Sequence, residues 1–195
     1  DTAMQYSIPA RITTADISGD GFTDRLYASD MGGQIFRFDI NNASTRAATL
    51  AGSISGARIA DLAGAAAEDA RRFYYPLDIA LVDAAPDGKY HALVTSSGFR
   101  AHPLNTEIHD RIYMIKDRNT GLLTSSTQYK YKLGLTASDD NVLGAITESD
   151  LKDVTLNLAG GDSTTDADRD AELALIRVKG GWYIDLDNEA SPGTW

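Results

Sequence analysis

The chain has 195 residues, 43% of them hydrophobic, which suits one medium domain with a sizeable core, or part of a larger one. It contains no cysteine, so neither a disulfide framework nor a Cys-based zinc site is available. A formal net charge of -10 without a basic face speaks against nucleic acid as a partner, and no apolar run approaches the length of a membrane helix, which speaks against membrane insertion.

In chain order, the first informative stretch is Asp16-Ile17-Ser18-Gly19-Asp20-Gly21-Phe22-Thr23-Asp24. Oxygen-bearing side chains fall at Asp16, Ser18, Asp20 and Asp24, and Gly21 follows the third of them. A loop wrapping one Ca²⁺ supplies alternate side chains, a backbone carbonyl at its seventh position (here Phe22) and a further ligand at its ninth. Gly21 permits the sharp turn, because a residue without Cβ reaches positive φ cheaply. The twelfth position is Tyr27, where an EF-hand needs a bidentate glutamate. The flanks, Ala10–Ala15 and Arg25–Ala28, read as short strands rather than helices. The spacing therefore predicts a Ca²⁺ site in a tight inter-strand loop, held by Asp16, Ser18, Asp20, the Phe22 carbonyl and Asp24. The competing reading is an acidic β-turn, since Asp and Gly favour turns in any case. On the Ca²⁺ reading, Asp24→Ala is expected to leave the ion-free melting point little changed or slightly higher, because it relieves carboxylate repulsion.

Gln34–Ile40 alternates polar and apolar residues and reads as a half-buried strand. Asn41–Thr45 ends it. The alanine-rich run Ala65–Arg72 predicts a short helix by propensity. Asp78–Val82 and Tyr90–Thr95 predict a hairpin around Ala85-Pro86-Asp87-Gly88, and Asp110–Asp117 a further strand. Glu148–Val154 reads as one helical turn or a strand edge. Glu172–Val178 and Gly181–Leu186 predict a hairpin across the Gly180-Gly181 turn. The region of about residues 134–170 is polar and reads as an insertion in a single region spanning residues 1–195. The chain opens at Asp1 and stops at Trp195 just after a strand-like segment, and reads as part of a longer protein.

One repeat is visible: Asp24-Arg25-Leu26-Tyr27 recurs as Asp110-Arg111-Ile112-Tyr113. The spacing is close to two propeller blades of about 43 residues. Short strands and glycine turns predict an all-β protein, a modified β-propeller of antiparallel blades with long insertions, of which this length holds about four.

These segments carry a resemblance. Thr14 through Tyr27 followed by Asp30–Asp39 resembles the calcium-loop blade of type IV pilus tip proteins of the PilC/PilY class. Arg71–Pro76, Gly98–Leu104, Asp110–Tyr113 and Gly181–Leu186 resemble later segments of the same C-terminal domain, in the same order. Ser18 stands where that family often carries aspartate or asparagine. The resemblance implies a calcium-binding propeller at the bacterial cell surface or pilus tip, exported through the periplasm and outer membrane. It also implies work with minor pilins or other tip components, adhesion to host-cell or abiotic surfaces, control of pilus extension and retraction, and no enzymatic activity.

Other constellations are weaker. His102 and His109 flank Glu107, but the spacing matches no common zinc motif. Ser96 or Ser97 with His102 and Asp110 could be drawn as a hydrolase triad, though no nucleophile elbow supports it. Asp162, Asp166, Asp168 and Asp170 read as a solvated loop rather than a second ion site.

Overall fold

The computed structural model describes residues 4–40, 54–84, 88–121, 130–131, 142–143, 145–156, 159–160 and 165–186. The predicted turns at Asn41–Thr45 and Ala85–Asp87, most of the polar region before Gly144, and Asp162 lie outside them.

The described residues are mostly β, in two main sheets. The first is a four-stranded antiparallel meander: β1 (Thr13–Ala15), β2 (Arg25–Ser29), β3 (Gln34–Ile40) and β4 (Ile54–Asp61). The second contains β5 (Asp78–Ala84), β6 (Gly88–Ser96), β7 (Arg111–Asp117), β10 (Lys152–Asp153) and β11 (Gly181–Asp185), in the order β10-β11-β7-β6-β5. In that sheet β10 alone is parallel to its neighbour. Strands β8 (Lys130–Tyr131) and β9 (Val142–Leu143) form a separate ladder, and α1 spans Asp166–Val178.

The two main sheets share one core. Tyr27, Ile35 and Ile59 of the first pack with Leu93, Tyr113 and Ile115 of the second, and Phe73 and Leu77 of the connecting segment join them. Phe73 meets Tyr113 edge-on, with ring centroids 6.0 Å apart, the favoured arrangement for two aromatic quadrupoles.

The hairpin β5–β6 and strands β2, β3 and β7 stand where the sequence predicts them, but β3 is buried on both faces rather than half-buried, because it lies between the rest of its sheet and the second sheet's charge partners. Three elements differ. Residues Glu172–Val178 are not a strand but the C-terminal half of α1. Thr165 Oγ1 accepts from the Asp168 N–H, and Asp166 and Asp168 sit in the first turn, where the helix dipole favours negative charge. No residue of α1 is buried; the helix is held by the Lys152–Glu172 ion pair at 2.7 Å and by its last carbonyls, with Lys116 Nζ donating to Ile176 O at 2.8 Å and Arg118 Nη2 to Arg177 O at 2.9 Å. Strand β11 pairs with β7 and β10 instead of forming a hairpin with this segment, and only glycine fits at 181: a Cβ there would lie 1.9 Å from Met114 O. The alanine-rich run closes only a three-residue 3₁₀ turn, Ala67–Asp69, because its small side chains bury nothing. Strand β4 had no clear pattern, yet Ile59 and Ala60 are fully buried against β3. The segment Glu148–Asp153 is both a 3₁₀ turn and a short strand.

The repeated tetrapeptide marks a repeated structural unit. Arg25 on β2 faces Asp39 on β3; Arg111 on β7 faces Asp185 on β11. Each arginine bonds its facing carboxylate, at 2.7 Å for Arg25 and 3.0 Å for Arg111. Each tyrosine of the motif is fully buried with its hydroxyl on a carboxylate, Tyr27 on Asp117 and Tyr113 on Glu148. The Ile40 N–H donates to Asp24 O as the Leu186 N–H donates to Asp110 O. The paired residues are 14 positions apart in the first unit and 74 in the second, since residues 118–180 intervene between β7 and β11.

Arg37 joins the two sheets. It is fully buried, grips Asp39 through Nε (3.0 Å) and Nη2 (2.6 Å), and reaches across to both oxygens of Asp117 at 2.9 Å. Asp117 also accepts from the Tyr27 hydroxyl at 2.6 Å, which together with burial pushes that phenol far above its ordinary range. Removing one partner of such a pair strands a buried charge. Asp117→Ala is expected to cost about 3–5 kcal/mol in urea unfolding. Lys89→Ala, which breaks the exposed Lys89–Asp83 pair, is expected to change stability by less than about 1 kcal/mol.

Candidate metal centre

The loop between β1 and β2 runs from Asp16 to Asp24 and is closed by the Asp24 N–H donating to Ala15 O at 3.0 Å. Its carboxylates organise its own backbone. Asp16 accepts from the N–H groups of Gly19 (2.7 Å) and Gly21 (2.8 Å), and Asp20 accepts from Phe22 at 2.9 Å. Asp24 accepts from Ile17 at 2.8 Å and Ser18 at 2.7 Å. Gly19 and Gly21 have φ of 78° and 88°, so the turn uses two left-handed residues where the sequence pattern singled out one.

The turn brings the three carboxylates together. One oxygen from each of Asp16, Asp20 and Asp24 lies within 4.8 Å of the others. Two oxygens that each sit about 2.4 Å from one Ca²⁺ are at most about 4.8 Å apart, so the spacing fits a single hard cation. Asp16 and Asp20 are exposed and Asp24 is buried, which puts the group at the surface with one anchored wall. Ser18 is exposed, with its hydroxyl 3.5 Å from Asp16 Oδ1. Phe22 is 69% exposed. Among the described residues no histidine joins such a group. His102 stacks edge-on against Phe99 at 4.9 Å, and the His109 N–H donates to Glu68 O. Ser97 donates directly to Asp110 at 2.9 Å and accepts from the Arg111 N–H, with no histidine between them. Asp166 and Asp168 belong to the exposed first turn of α1, bonded to Arg169 and Thr165.

Behind the loop lies the buried charge network. Arg25, next to Asp24, bonds Asp39, the Gly121 carbonyl at 2.6 Å and His91 Nδ1 at 3.1 Å. A guanidinium has no acceptor, so Nδ1 must accept and the neutral ring carries its proton on Nε2. Burial and then the Arg25 charge hold the His91 imidazole below its ordinary range. The Arg25–His91 contact joins residues 66 positions apart, and no local pattern in the sequence signals it.

No family model matches the sequence, and no curated protein matches it. Among solved structures, the C-terminal domain of Pseudomonas aeruginosa PilY1 overlays on this chain with a TM-score of 0.50 and 19% identity. The overlay covers 90% of this chain and 38% of that one, so the chain spans well under half of that domain's length. The likeness shows a PilY1-like fold. No helix among the described residues is long and apolar enough to cross a membrane.

Two outcomes follow from this geometry. Asp24→Ala strips an acceptor from two backbone N–H groups, so it is expected to destabilise the ion-free protein by about 1–3 kcal/mol in urea unfolding at pH 7 with EDTA; the expectation from repulsion alone has the opposite sign. His91 is harder to protonate folded than unfolded, so its contribution is complete above the ordinary histidine value of about 6.5 and is lost as pH falls below it. His91→Asn keeps an acceptor facing Arg25 and is expected to flatten the melting-temperature decline between about pH 7 and 5.5.

Proposed function

We propose that this chain is the calcium-binding region of a modified β-propeller in a type IV pilus biogenesis factor and tip adhesin. The observation that carries the reading is the convergence of Asp16, Asp20 and Asp24 on a loop whose spacing suits one Ca²⁺. The PilY1-like fold supports it, as do the segments that resemble the PilC/PilY class. In this reading the two main sheets are blades, each built on one Arg–Asp strand pair, and the long connection 118–180 is an insertion in the second. Asp16, Ser18, Asp20, Asp24 and the Phe22 carbonyl hold the ion. The protein is not an enzyme; it acts at the cell surface with minor pilins or other tip components, and supports surface adhesion and twitching motility.

The ion supplies a counter-charge to three crowded carboxylates. Its loss leaves them repelling one another and loosens the loop and the start of β2. Ion-bound and ion-free forms then offer different surfaces to the pilus machinery and so bias extension against retraction. A second reading, in which calcium only staples the loop, draws on the backbone bonds that already brace Asp16 and Asp24. Equal affinity for a minor pilin with and without calcium selects the staple.

Calorimetry tests the ion site itself. Wild type is expected to bind Ca²⁺ with a dissociation constant of about 10⁻⁶–10⁻³ M and more tightly than Mg²⁺, while Asp20→Ala binds neither in that range. Surface piliation and twitching of cells carrying Asp20→Ala or Asp20→Lys in the full-length protein test the regulation. Wild-type behaviour of both variants at equal expression sinks the switching mechanism.

A further inference from the structure

The three aspartates of the acidic loop precede residues of different kinds. Asp16 is followed by Ile17, whose branched side chain crowds the peptide nitrogen, and Asp24 by Arg25, which is fully buried in β2. Asp20 is followed by Gly21, and both are exposed. A Cβ at Gly21 would meet nothing within 4 Å, so the space around that residue is open. An aspartyl–glycine link has a reaction of its own. The glycine nitrogen attacks the carboxyl carbon of the preceding side chain and closes a five-membered succinimide ring. The missing Cβ leaves that nitrogen unhindered and lets the backbone turn freely toward the ring.

The loop sets out the groups that this reaction needs. Asp20 Oδ1 accepts from the Phe22 N–H at 2.9 Å, which folds the carboxyl back along the chain toward the Gly21 nitrogen. The hydrogen that this nitrogen must lose points at a second carboxylate: the Gly21 N–H donates to Asp16 Oδ2 at 2.8 Å, within the reach of a general base. An N–H bond lies in the peptide plane, so this contact leaves open the faces through which the nitrogen attacks. Nucleophile, electrophile and base thus belong to one short loop and need no second molecule to meet.

We propose that the Asp20–Gly21 link is a site of spontaneous isoaspartate formation, with Asp16 as the base. The nitrogen–carbon bond forms as the Gly21 proton passes to Asp16. One Asp20 carboxyl oxygen leaves as water, carrying that proton and one from solvent. Water then opens the ring. Attack at the former side-chain carbon restores aspartate; attack at the main-chain carbon gives isoaspartate, and either returns the proton to solvent. The product has the same mass and needs no oxidant or co-reactant. Its main chain runs through the former side chain and is one atom longer, so the Asp20 carboxylate leaves its place beside Asp16 and Asp24. A further step rests on the calcium reading above: a bound ion ligates Asp16 and Asp20, withholds base and electrophile together, and protects the link. The ion-free loop then ages into a form that no longer binds.

The test is incubation of the folded protein at neutral pH and physiological temperature in EDTA, followed by trypsin. Cleavage after Arg11 and Arg25 isolates the loop as the peptide Ile12–Arg25. Electron-transfer fragmentation locates isoaspartate in it, isoaspartyl methyltransferase counts it, and ¹⁸O-water marks each passage through the ring. Isoaspartate is expected at Asp20, and not at Asp16 or Asp24, at least as fast as in the free synthetic peptide. Asp16→Asn keeps an acceptor for the Gly21 N–H but removes the base. It is expected to slow the reaction several-fold in the protein and to leave the rate in the peptide unchanged. Melting curves confirm that the variant is folded. The proposal is overturned if Asp20 stays intact in the protein while the peptide converts, if the three aspartates react alike, or if Asp16→Asn reacts as fast as wild type. Excess Ca²⁺ in place of EDTA is expected to suppress the reaction. Isomerisation that Ca²⁺ leaves unchanged overturns the calcium reading of the loop and the protection drawn from it, and supports the modification site itself.

Discussion

The structure depends on burying Arg37 between Asp39 and Asp117. Two guanidinium groups, Arg25 and Arg37, share the interior with two carboxylates, so the cluster carries no net charge. Taking four charges out of water costs several kcal/mol per ion, and only near-complete hydrogen bonding offsets it. Arg37 has that: two carboxylates and the carbonyls of Asn119 and Gly121. A lysine could not replace it, because an ammonium cannot grip Asp39 side-on with two donors while reaching Asp117 and two carbonyls in one plane. Since the partners come from β3, β7 and the turn after β7, the cluster forms only when the two sheets meet in one register. An apolar contact would tolerate sliding; this one does not.

The same cluster sets the back wall of the acidic loop. Asp24 ends the loop and Arg25 begins β2, so the residue that anchors two loop N–H groups is bonded directly to one locked in the core. The loop therefore has a rigid end at Asp24 and an exposed end at Asp16 and Asp20. Charge on the exposed carboxylates therefore acts against a fixed frame, and its effect falls on the loop itself.

How much of this was legible in the sequence follows from the range of each interaction. The loop was readable because its carboxylate spacing, its glycines and its backbone bonds all lie within nine residues. Strands β2, β3 and β7 were readable as short runs rich in β-branched and aromatic residues between turn signals, although each buries consecutive side chains on both faces. Strand β4 was not, because Ser55, Gly56 and Ala57 weaken its strand signal, and its pairing carries a register shift at Ile35/Phe36. The segment 172–178 misled for another reason. Its apolar residues suit either period, and what decides for helix is the cap at Thr165, several residues upstream. The Arg37–Asp117 pair spans 80 positions and the Arg25–His91 contact 66, and nothing in either neighbourhood announces the other.

The repeated unit shows what the fold itself requires at the loop position. Asp24 and Asp110 are equivalent: each precedes the motif arginine, and each offers its carbonyl to the residue just past the motif's partner aspartate. In the second unit the Asp110 side chain takes the Ser97 hydroxyl, and no acidic group large enough to hold an ion lies beside it among the described residues. In the first unit Asp24 takes two backbone N–H groups and is joined by Asp16 and Asp20. One scaffold thus closes the same turn in two ways, one of them without crowded carboxylates. Packing therefore does not require the two exposed carboxylates of the first unit, Asp16 and Asp20, which brace the N–H groups of their own loop instead. Their crowding is a cost that the second unit avoids, and the backbone N–H bonds that the three carboxylates accept stand against it.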